Sequence, residues 1–66
     1  MAMIVYDVSV SAPGTVQEKV DKIKQLHDVG DLLRVLREYE DRPKYFDREV
    51  IAEVKSQLYD LGIMCF

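Results

Sequence analysis

His27, Asp28 and Asp31 lie close together in the chain, and within a continuous helix His27 and Asp31 would stand four residues apart on one face, where two side chains can share a ligand. The chain contains 1 His and 1 Cys. Catalytic zinc takes three protein ligands, preferably His or Cys, so no metal site is expected. His27 instead reads as a partly buried residue of an apolar stripe with one ring nitrogen hydrogen-bonded.

Carboxylates pair on helical faces at Glu38 with Asp41 and at Glu49 with Glu53. General acid-base work would require a desolvating pocket that separates the pKa values within a pair. Arg37, Arg42, Arg48 and Lys55 interleave these acids on faces opposite the apolar positions, which is the pattern of solvated helix surface. Cys65 has no His and no cluster of bases beside it to generate a thiolate, and reads as a small hydrophobe. Phosphate loops, nucleophile elbows and redox C-x-x-C pairs do not occur. Neither catalysis nor a cofactor is expected; a small enzyme with its active site built across subunits stands as the second alternative.

The stretch from Arg34 to Arg48 is the most informative. It interleaves Arg34, Arg37, Arg42, Lys44 and Arg48 with Tyr39, Tyr45 and Phe46. Arg and Tyr are enriched at binding hot spots, so Tyr39, Arg42, Lys44, Tyr45, Phe46 and Arg48 are the expected partner-binding residues, the partner being another protein. A competing reading has Tyr45 and Phe46 closing the core between two helices. Arg beside aromatics can also stack on single-stranded bases, which makes a nucleic-acid-binding regulator using residues 34–48 the first alternative. Glu38, Glu40, Asp41 and Asp47 oppose it by nearly cancelling the local field, and the whole chain carries a net charge of -3. A helix-turn-helix is disfavoured too: residues 41–47 exceed the usual short turn, and the helix after them mixes acids with bases.

The elements that must position these residues follow from periodicity and punctuation. Ile4, Tyr6, Val8 and Val10 alternate with Val5, Asp7, Ser9 and Ser11, so residues 3–11 are predicted to form a strand with one buried face. Thr15 and Glu18 form a T-x-x-E capping box that opens a helix over 15–28, with Val16, Val20, Ile23 and His27 inward, Leu26 at the edge of that stripe, and Lys19, Asp21, Lys22, Lys24 and Gln25 outward. Val29, Leu32, Leu33, Leu36 and Tyr39 mark a second helix over 29–41, broken or kinked from the first near Gly30, and Pro43 ends it. Asp47 caps a third helix over 47–61 with Ile51, Val54, Leu58 and Leu61 inward. Gly62 is then the left-handed residue of a Schellman motif that lays Ile63 on Leu58.

The tail 63–66 is apolar and offers a short second strand. The expected fold is therefore a single small α+β domain over 1–66, mostly helical, in β-α-α-α-β order. At 66 residues the chain is near the size at which a core alone is marginal and oligomerisation is a common supplement. A single strand with an open edge invites pairing between copies, so a homodimer is expected with Ile4, Tyr6, Val8, Val10, Ile63 and Phe66 at the interface. No run of residues is long and apolar enough to span a membrane, no secretory leader is evident, and the lone Cys suits a reducing cytoplasm. The function that follows is a small cytoplasmic protein-binding regulatory or adaptor module acting as an oligomer.

Overall fold

The structure, a computed structural model, describes residues 4–63. It is all helical: α1 (Ile4–Asp7), α2 (Val16–Lys24), α3 (Val29–Asp41), a 3₁₀ turn (Pro43–Tyr45) and α4 (Arg48–Asp60) follow in order. Helix α4 packs against both α2 and α3, and the short α1 rests on α3. The Cα radius of gyration is 10.6 Å, close to the ~11 Å expected of a compact chain this long.

The expected α+β class is overturned, because no strand occurs among the described residues. Residues 4–11 form no strand, and local bonds stand where a ladder would be. The Ser9 hydroxyl donates back to the Tyr6 carbonyl at 3.2 Å, and the Ala12 N–H donates to the Ser9 carbonyl at 3.1 Å. Serine side chains that bond their own neighbourhood offer the backbone an alternative to a ladder, and here they curl it into a helical turn followed by bends. The alternation consequently breaks: Val8 and Ser9 point inward while Tyr6 and Val10 remain exposed. The second strand proposed for 63–66 is not found at Ile63, which is irregular; residues 64–66 lie outside the described residues.

Helix α2 starts where the capping box dictates. The Glu18 N–H donates to Thr15 Oγ1 at 3.1 Å, and the Thr15 N–H donates to Glu18 Oε1 at 3.3 Å. It ends at Lys24, short of residue 28, when the Leu26 N–H turns back to the Ile23 carbonyl. The linker 25–28 then leads into α3, whose N-cap is Asp28, its carboxylate accepting from the Asp31 N–H at 3.3 Å. Gly30 is thus a residue of the first turn of α3, and the chain breaks just ahead of it.

Eleven apolar residues form the core: Val8 from the N-terminal segment, Val20 and Ile23 from α2, Leu32, Val35 and Leu36 from α3, Phe46, and Val50, Ile51, Val54 and Leu58 from α4. Four inward assignments shift, the first being His27, which the end of α2 at Lys24 leaves exposed. Val35 replaces Leu33, since the stripe Leu32, Val35, Leu36, Tyr39 is centred more than a quarter turn away from Leu33, by about 110°; Leu33 is exposed. Lys19, expected outward, is buried at 4% exposure, on the side of α2 that carries Val16 and Ile23; long basic side chains can bury their methylenes in this way. Leu61 caps α4 and is largely exposed, whereas Val50 enters the core.

At the end of α4 the Ile63 N–H donates to the Leu58 carbonyl at 2.9 Å and the Gly62 N–H to the Tyr59 carbonyl at 3.0 Å. With Gly62 at φ 91°, this is the complete Schellman pattern, and Ile63 packs on the core.

Candidate protein-binding surface

Pro43 shapes the region that joins α3 to α4. Arg42 leaves helical geometry at φ -136°, ψ 79°, as a residue before proline must, and its N–H still donates to the Glu38 carbonyl at 2.8 Å. The Tyr45 N–H then closes the 3₁₀ turn on the Arg42 carbonyl at 3.0 Å. Phe46 is extended, which turns its ring into the core, and Asp47 holds the N-cap position of α4 although its side chain makes no capping bond.

The six expected partner-binding residues separate into different environments. Phe46 is 5% exposed and belongs to the core, so it is not free to meet a partner. Tyr45 is half-buried and meets Phe46 edge-to-face, ring centroids 5.1 Å apart and planes at 88°, a geometry worth about 0.5–1.5 kcal/mol beyond area burial. Tyr39 is also half-buried and packs on the core. Arg42, Lys44 and Arg48 are exposed. Arg42 stands 3.9 Å from both Glu38 Oε1 and Asp41 Oδ2; such exposed pairs contribute little to stability but hold the guanidinium beside the turn.

A seventh contributor, Val10, comes from a part of the chain far from the turn. The Val10 N–H donates to the Tyr45 carbonyl at 2.8 Å, which fixes the N-terminal segment against the 3₁₀ turn and sets a half-exposed valine, 47% accessible, at the main chain of Tyr45. Nothing local in the sequence signals this pairing across 35 positions. The other residues assigned to an interface between copies disperse. Val8 is wholly buried within the chain, Tyr6 is exposed on α1, and Ile63 packs on the core. The side chain of Ile4 and the whole of Phe66 lie outside what is described.

The groups considered for chemistry do not converge. The break at residues 25–28 removes the helix that would have aligned His27 with Asp31. His27 is exposed, and its Nδ1 lies 3.3 Å from Nε2 of Gln57 on α4. The same Gln57 Nε2 donates to the Leu26 carbonyl at 2.9 Å. Glu38 and Asp41 flank Arg42, while Glu49 and Glu53 lie on the outer side of α4. Among the described residues no three His, Cys, Asp or Glu side chains gather around a common point, no enclosed pocket is formed, and no helix is long and apolar enough to cross a membrane. No family model matches the chain, and it is matched by neither a curated protein nor a solved structure.

Proposed function

We propose that this chain is a protein-binding regulatory or adaptor module that works as an oligomer and carries out no catalysis of its own. The observation that supports it is the junction of Val10 with the 3₁₀ turn. A main-chain bond joins an exposed valine to a half-buried tyrosine, and the exposed cations Arg42, Lys44 and Arg48 lie within three residues of that tyrosine along the chain. An apolar centre with a charged rim is the usual anatomy of a protein-protein contact, and Tyr and Arg are the side chains that most often dominate its energy. The acids Glu38 and Asp41 beside Arg42 favour a protein partner over a polyanion, since they oppose phosphate.

The test is affinity capture from the native cell with the full chain as bait, run in parallel with Val10→Asp and Lys44→Glu. Both positions are on the surface, so far-ultraviolet circular dichroism should be unchanged. A protein retained by the native bait and lost from both variants supports the reading; identical sets from all three baits overturn it.

A further inference from the structure

The outer face of α4 carries an ordered charge pattern that the folded chain does not use. Opposite the buried Val50, Val54 and Leu58, the wheel places Ala52, Ser56 and Tyr59 in the middle of the exposed side. Tyr59 is 62% accessible. Arg48 and Lys55 run along one edge of this strip; Glu53 and Asp60 run along the other. In heptad terms Glu49 and Ser56 occupy a, Ala52 and Tyr59 occupy d, both bases occupy g and both acids occupy e. Among the described residues the only ion pairs are those of Arg42, and none of these four charges is matched there.

We propose that this face pairs with the same face of a second copy, the two α4 helices running parallel about a two-fold axis. In a parallel pair each g residue faces the e residue five positions further along the other helix. Arg48 then meets Glu53 of the second copy and Lys55 meets Asp60, and the symmetry doubles both contacts. An antiparallel pair would bring like edges together, acid on acid and base on base, so the charge order selects the parallel arrangement. Ala52 and Ser56 are small enough to let the helices approach, and Tyr59 supplies the apolar area. The seam also holds Glu49, which keeps the association weak and leaves its orientation to the charged edges. The inference rests on the oligomeric part of the reading above and shares Arg48 with that surface, but the Glu53→Lys with Asp60→Lys chain and the Ala52→Cys chain touch none of its residues, so the two experiments fail independently.

Sedimentation equilibrium of the full chain from about 10 to about 500 μM, at about 20 mM salt where screening is weakest, tests it. The native chain should self-associate. Arg48→Glu with Lys55→Glu, and separately Glu53→Lys with Asp60→Lys, should each weaken association by roughly tenfold or more, with helicity retained. An equimolar mixture of the two reversed chains should recover a one-to-one complex, because every facing pair is again opposite in sign. A second measurement needs no charge reversal: Ala52→Cys in a Cys65→Ser background should cross-link on oxidation, since parallel pairing puts both copies of residue 52 in one layer. A native chain that stays monomeric throughout, reversed chains that associate like the native one, or a mixture that remains monomeric would each overturn the proposal.

Discussion

Gln57, near the C-terminal end of α4, donates through Nε2 to the main-chain carbonyl of Leu26, thirty-one residues earlier and 2.9 Å away. Gln57 is 8% exposed, and its bond holds the linker between α2 and α3 onto α4 at the point where α2 gives out. The carbonyl can accept only from the amide nitrogen, which settles the amide orientation and leaves Nδ1 of His27, 3.3 Å away, in the position of an acceptor.

Replacing Gln57 with Leu keeps the bulk and removes the donor. A carbonyl stripped of its partner costs about 1–3 kcal/mol, and in a domain this small each kcal/mol moves the thermal midpoint by roughly 4–8 °C. Urea unfolding of Gln57→Leu should show that loss with an unchanged slope. A midpoint equal to that of the native chain would mean that the linker is held by packing alone.

The capping box at the start of α2 predicts a graded response. Thr15→Ala removes the acceptor for the Glu18 N–H and should destabilise by about 0.5–2 kcal/mol. Thr15→Ser retains the oxygen and should lose much less. Chemical denaturation of both variants checks the order, and equal losses would show that the hydroxyl contributes nothing.

Lys19 is buried and makes no ion pair among the described residues, so its methylenes are expected to carry its contribution. Lys19→Met retains a flexible apolar stem on the α2 face and should preserve stability, whereas Lys19→Ala opens a gap on the side of α2 that carries Val16 and Ile23 and should lower it. Thermal melts decide between packing and charge: if Met and Ala variants fall together, the ammonium is the part that matters.

The end of α4 depends on a positive φ at Gly62. Among the described residues, its two chain neighbours aside, no atom lies within 4 Å of where a Cβ would stand, so Gly62→Ala is expected to meet the backbone penalty of left-handed geometry, about 1–2 kcal/mol. Asn tolerates that region better, and the expected order of stability is Gly, then Asn, then Ala. Denaturant midpoints for the three chains would refute the assignment if Ala matched Gly.

Features written in local chemistry were legible before the structure. Thr15 with Glu18, Pro43, and Gly62 with Ile63 each fix a boundary through bonds between residues a few positions apart, and those boundaries lie where the residues placed them. The N-terminal segment was not legible, because Ile4, Tyr6, Val8 and Val10 satisfy a strand period while Ser9 and Ser11 supply hydroxyls that bond locally, and only tertiary contact determines which prevails. The inward turn of Lys19 was hidden for a similar reason: residue type favoured water, and the stripe Val16, Lys19, Val20, Ile23 favoured the core. In the candidate surface the exposed Arg42, Lys44 and Arg48 followed from sequence, whereas the arrival of Val10 beside Tyr45 is a long-range pairing that no short pattern encodes.

The main-chain bond from Val10 to Tyr45 makes one amide a natural probe of a partial opening. If the first dozen residues lift from the 3₁₀ turn while α2, α3 and α4 stay packed, the Val10 proton exchanges with solvent and those of Val35 or Val54 do not. Comparing their exchange rates measures the free energy of that local release separately from global unfolding. A ligand seated across the junction would slow the first rate and leave the others to follow overall stability.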